Sequence, residues 1–122
     1  MILFLDDSEQ RIELFRACFP SAMIVNTAEQ AIEHLRDDAV VWSSVWLDHD
    51  LGGTTFQDSD DRESGYEVVR WILANRPTIL EVYVHTWNPS AGANMVIDLQ
   101  GAGYIVHRWP FDPNLLFAGV GE

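Results

Sequence analysis

The stretch VVWSSVWLDHDLGG, residues 40–53, decides how the chain is read. A near-continuous apolar run ends in three polar, metal-competent side chains, Asp48, His49 and Asp50, and then in Gly52-Gly53. A strand this apolar along its length expects cover on both faces, as in a parallel sheet packed between helices. A carboxylate at its buried end is costly unless it is paired, hydrogen-bonded or bound to a cation. The run therefore ends either in a surface turn or in a site.

The flanking sequence repeats the pattern. ILFLD (2–6), AMIVN (22–26), VVWSSVWLD (40–48), ILEVYVHT (79–86) and YIVHR (104–108) read as strands. Helical segments with start signals alternate with them. RIELFRACF follows Asp7 or Ser8 as cap, and Thr27 with Gln30 forms a capping box for AEQAIEHLR. Ser64 with Glu67 repeats that box before GYEVVRWILANR, and Asn88-Pro89 opens a helix through Leu99. Asp112-Pro113 starts a short last helix. Five strand–helix units predict an α/β fold, a doubly wound parallel sheet in one domain spanning residues 1–122.

Composition narrows the function. Nineteen acids face seven bases, all of them Arg, for a net charge of −12. Such a field repels nucleic-acid polymers, while a small phosphate-containing ligand stays possible if a divalent cation reverses the local sign. No apolar run is long enough for a membrane span, and MILFLDD lacks the basic flank of a signal peptide. The one cysteine, Cys18, fits a reducing, cytoplasmic setting.

In a doubly wound sheet, ligands bind outside the carboxyl ends of the strands. Those ends carry Asp6-Asp7, Asp48-His49-Asp50, His85-Thr86 and His107-Arg108. Four crowded carboxylates, Asp6, Asp7, Asp48 and Asp50, would repel unless a cation intervened, and hard oxygen donors favour Mg²⁺ or Mn²⁺. The plainer alternative makes Asp7 a cap and Asp50 a turn residue. His49 and His85 offer proton transfer to a phosphodiester, softer metal ligation, or no more than a partner for a local carboxylate. Thr86, Asn88 and the helix start through Gly92 suit a phosphate, although Asn-Pro also serves simply as a cap. Arg108 is placed to neutralise a phosphate or to pair with Asp48. Asp58, Asp60 and Asp61 lack the offsets of a calcium loop and read as a solvated lid. Trp42, Trp46 and Trp71 read as core, His34 as surface, and Trp87 as placed to stack on a base.

The order of these features resembles the receiver domain of response regulators: an acidic pair after strand one, Asp48 after strand three, Thr86 after strand four and Pro110-Phe111 after strand five. The resemblance implies a flavodoxin-like three-layer sandwich with strand order 2-1-3-4-5. It also implies magnesium on Asp6, Asp7 and Asp48, and phosphate on Thr86. Receivers carry a Lys before that Pro, where Trp109 stands here, and the chain has no Lys at all, which argues against phosphorelay signalling. The strings LFLDD, LDHDLGG, SGYEVVRWI and VHTWNPSAGANM are similar to a cyclic-phosphate-processing receiver subgroup of bacterial and phage conflict systems, distinguished by the added histidines, here His49 and His85. That similarity implies a metal-dependent hydrolase of a cyclic nucleotide or cyclic phosphate. Two other readings stay open, a non-catalytic pseudo-receiver that binds a nucleotide or docks on a partner, and a phosphoacceptor using Asp48. The short segment DPNLLFAGVGE is expected to leave a flank near Trp109, Phe111 and Phe117 exposed, giving a homodimer.

Overall fold

The apolar runs become strands of one sheet, whose side chains enter two apolar clusters packed against helices. The computed structural model describes residues 1–51 and 57–109. In chain order these form β1 (Ile2–Leu5), α1 (Glu9–Cys18), β2 (Met23–Val25), α2 (Ala28–Leu35), β3 (Trp42–Leu47), α3 (Tyr66–Asn75), β4 (Ile79–Val84), α4 (Pro89–Gly101) and β5 (Val106–Arg108). Gly52-Gly53, Pro110-Phe111, Phe117 and the expected last helix lie outside the described residues.

All strand pairs are parallel, in the order β2-β1-β3-β4-β5. Successive side chains leave a strand on opposite faces. Leu3, Leu5, Val45, Leu47, Val82 and Val84 therefore join one apolar cluster with α2, α3 and α4. Ile2, Phe4, Trp46 and Tyr83 join a second cluster with Ile12, Phe15 and Phe19, on and just after α1. On that second face Ser44 is buried within a strand, and its hydroxyl accepts the Trp46 indole N–H at 3.1 Å. Trp42 and Trp46 are core residues, Trp71 is half-buried, and His34 is half-buried rather than fully at the surface. Trp109 packs edge-on against Trp46 and Tyr83.

Three of the expected caps form as read, the Ser8 hydroxyl accepting the Arg11 N–H at 3.4 Å. The Thr27 hydroxyl accepts the Gln30 N–H at 3.1 Å, and the Asn88 side chain accepts the Ala91 N–H at 3.2 Å. The Ser64–Glu67 box does not form. Gly65 occupies the cap position in helical backbone geometry, whereas a side-chain cap needs an extended residue there. Ser64 instead donates back to the Asp61 carbonyl at 2.7 Å, and Glu67 pairs with Arg70 at 2.8 Å.

Candidate functional site

Register brings the site together. Leu5 lies opposite Leu47, and Leu47 opposite Val84, so the next residues, Asp6, Asp48 and His85, leave the sheet side by side. Each is one step out of phase with a residue facing α2–α4, and so all three turn towards the α1 side. They are buried, at 0%, 4% and 1% exposure, and one donor atom from each falls within 4.8 Å of the others. His85 stacks on Phe4 with ring centroids 4.9 Å apart.

The cation already among these carboxylates is Arg11, in the first turns of α1, which the sequence reading passed over as an ordinary helix residue. Its Nε donates to Asp6 Oδ2 at 2.7 Å, and its Nη2 donates to Asp6 Oδ1 at 2.9 Å and to Asp48 Oδ2 at 3.4 Å. Asp6 also accepts the Ser8 N–H at 2.9 Å and lies 3.1 Å from His85 Nε2. Burial alone would lift the Asp6 carboxyl, but the bonds from His85 and Arg11 outweigh it and hold Asp6 well below the usual carboxylate range. Asp6, ionised, fixes His85 Nε2 as the protonated, donating nitrogen. Nδ1 of His85 is buried without a hydrogen-bond partner among the described residues. Burial pushes Asp48 upward; the nearby Asp6 charge adds to this, while His85 and Arg11 oppose it. Among the described residues, Asp48 accepts the His49 N–H at 2.8 Å besides its long contact with Arg11.

Alternation also explains which expected residues stay apart. His49, one step beyond Asp48, is fully buried on the other side, with Nδ1 on Asp50 at 2.8 Å and Nε2 on the Ser59 hydroxyl at 2.9 Å. Asp50 receives the Gln57 N–H at 2.7 Å and the Asn88 side-chain amide at 3.4 Å. His49 and Asp50 thus anchor residues 57–59 and do not join Asp6 and Asp48. Four mutually repelling carboxylates are replaced by two, bridged by a guanidinium. Asp58 and Asp61 accept backbone N–H groups two residues on, as turn residues do.

Arg108 is paired in register with Val84 and so faces α4, where a Cβ on Gly92 would lie 2.7 Å from its guanidinium. It donates to the Val84 carbonyl at 3.3 Å, and among the described residues no carboxylate pairs with it, Asp48 included. The Thr86 hydroxyl accepts the Asn88 N–H at 3.1 Å. With Pro89 lacking an N–H and Ala91 capped by Asn88, little of the α4 N-terminus is left to cradle an anion. Trp87, beside Thr86, is 63% exposed. Asp7 is half-buried and its charge also acts on Arg11. It lines a pocket of about 490 Å³ with Asn26, Thr27, Leu51 and Arg62. A larger pocket of about 750 Å³ adjoins the C-terminal ends of α2 and α3 and includes none of these site residues.

Gly65 locks the site from beneath. Its N–H donates to the His49 carbonyl at 2.9 Å, and a Cβ there would meet the Asp48 carbonyl oxygen at 1.7 Å. Gly65→Ala must push α3 away from the end of β3. A loss of about 3 kcal/mol in urea unfolding is expected, at the upper end for overpacking because the obstacle is backbone. An unchanged unfolding midpoint would contradict this close approach.

No curated protein is significantly similar to the sequence. Among solved structures, the chain is similar to the signal receiver domain of a protein described as a Luxo repressor from Vibrio parahaemolyticus, with a TM-score of 0.64 at 20% identity, over 94% of this chain and 82% of that one. At that identity the likeness speaks for the fold. The sequence matches the family described as "Cyclic-phosphate processing Receiver domain" over residues 1–101. Matched along most of its length, and with the receiver sheet order in its structure, the chain belongs to the cyclic-phosphate processing receiver domain family.

Proposed function

We propose that the chain is a metal-dependent protein that binds and hydrolyses a small phosphate ester of the cyclic nucleotide or cyclic phosphate type. The observation that carries this reading is the buried Asp6–Asp48–His85 group at the carboxyl edge of the sheet. Two carboxylates and an imidazole fit a small divalent cation such as Mg²⁺ or Mn²⁺, and the unpartnered His85 Nδ1 is an atom that a purely structural histidine would rarely leave unpaired. Asp6 and Asp48 would hold the metal, with His85 as a third donor in reach. When bound, the metal would polarise the phosphate and offset its charge. His85 is assigned the proton, with Asp6 holding its ring in orientation. Arg11 supplies positive charge for the phosphate oxygens, the pocket beside Asp7 takes the rest of the ligand, and Trp87 offers an exposed ring for a base.

The deciding experiment is incubation with a panel of cyclic nucleotides and cyclic phosphates, with and without Mg²⁺ or Mn²⁺, followed by product analysis. Metal-dependent ring opening is the expected result. Ligand binding without product would leave a non-catalytic binding module.

A second expectation concerns the metal alone. Binding to the native state stabilises by about 2.7 kcal/mol when free metal stands at 100 times its Kd, so melting should rise with Mn²⁺ relative to EDTA. Asp48→Asn removes a charge that burial disfavours, so it should stabilise the metal-free protein and abolish the metal-dependent rise. Identical melting of the wild type under both conditions would remove the basis for the site.

A further inference from the structure

Arg11 stands where a metal would have to stand. Asp6 accepts two bonds on Oδ1, from Ser8 N and Arg11 Nη2, and two on Oδ2, from Arg11 Nε and His85 Nε2. An ionised carboxylate offers about four lone-pair sites, so the acceptor capacity of Asp6 is full. The second carboxylate of the group, Asp48, is reached by the same Nη2 at 3.4 Å. A single guanidinium therefore spans both acids, and its planar fork is matched to Asp6 through two parallel bonds. No other Arg is within ion-pair distance of either acid among the described residues.

The rest of Arg11 is built to let go. It follows its cap Ser8 by three residues on α1, so it is carried by a rigid element at the rim of the sheet. Its side chain is 30% exposed, while those of Asp6 and Asp48 are 0% and 6% exposed. A long charged side chain so placed can turn its head to water without unfolding its helix. The two buried acids cannot follow it.

We propose that Arg11 is the resident counter-ion of the site, and that a divalent cation binds by taking Asp6 and Asp48 away from it. This rests on the metal-binding reading above. Arg11 then lowers metal affinity, because part of the attraction of the two carboxylates is already spent on the guanidinium. It also protects the metal-free fold, because without it Asp6 and Asp48 face each other uncompensated. The contrasting role is that of a positioning residue, in which Arg11 stays on Asp6 and holds it in place for the metal. That role predicts the opposite sign for the same substitution.

The test is Mn²⁺ titration by calorimetry of wild type, Arg11→Ala and Arg11→Lys, with the Arg11 Nε–H resonance followed by NMR in the wild type during Mg²⁺ addition. Arg11→Ala is expected to bind Mn²⁺ at least about tenfold more tightly than wild type, and to melt lower without metal. Arg11→Lys keeps the charge but loses the fork, and should fall between the two. The Nε–H signal, protected by Asp6 in the metal-free protein, should shift and exchange faster with water as Mg²⁺ saturates. Equal or weaker Mn²⁺ binding by Arg11→Ala, or an Nε–H signal unchanged at saturation, overturns the displacement while leaving the metal site standing. Absence of metal binding in all three proteins overturns the metal reading and this proposal with it. Should Arg11→Ala fail to fold, Arg11→Lys and the wild-type resonance give the same decision.

Discussion

Asp6→Ala is expected to destabilise the metal-free protein by about 3 kcal/mol at neutral pH, because removing one partner of a buried ion pair strands the other. The figure is set near the lower end of the usual range because Arg11 is partly exposed and can turn to water. His85 cannot, and is left with neither ring nitrogen engaged. The pH dependence carries the sign of the mechanism. Asp6 is held below its ordinary carboxylate value when folded, so its contribution is complete above about pH 4 and fades as the pH falls towards the lower folded value. Wild type and Asp6→Ala should therefore differ most at pH 7 and converge in acid. Asp48 acts in the opposite sense: its folded value is raised, so acidification relieves a penalty instead of removing a gain. Urea unfolding at several pH values measures both. A constant gap between the two proteins across that range would show that Asp6 does not depend on its charge.

The fold was legible because its signals are local and redundant. The alternation inside ILFL, VWL and VYV gives strands apolar on both faces, and capped segments between them leave a parallel sheet as the economical solution. The order of the strands came from resemblance, since nothing in strand composition says that β3 lies beside β1. The acidic strand ends were legible too, and their grouping follows from register: Asp6, Asp48 and His85 are in phase, while His49, Thr86 and Arg108 are one step out. Sequence alone places all of them on one edge without their side, which is why His49 and Asp50 were expected beside the carboxylates and are found anchoring residues 57–59. Arg11 was missed for a different reason. A cation on a helix five residues after Asp6 looks like a solvated charge until the helix is docked, and the receiver pattern points instead to the end of β5, where the family carries its Lys. The Ser64 cap failed because Gly65 must touch the backbone of Asp48, a contact no local pattern announces.

The remaining large effect separates proton transfer from ligation at His85. Its ring is fully buried, stacked on Phe4 and bonded to Asp6 through Nε2, so His85→Ala would open a cavity and confuse chemistry with stability. His85→Gln is the cleaner variant, because its amide nitrogen can keep the bond to Asp6 while the titrating group is gone. If His85 moves the proton, turnover of a cyclic phosphate should fall by about 10²- to 10⁴-fold with Mn²⁺ affinity and melting temperature close to wild type. If His85 is instead a metal ligand, Mn²⁺ affinity falls along with turnover. The same protein, treated with small phosphodonors, should carry no stable acyl phosphate on Asp48, since it lacks the Lys that the receiver family places beside the phosphoryl group. Arg11 is not an equivalent of that Lys, since a planar guanidinium fork does not reproduce the point charge of an ammonium. A phosphorylated Asp48 together with a His85→Gln variant that behaves as wild type would make this domain a phosphoacceptor, and the hydrolase reading would fail on both counts.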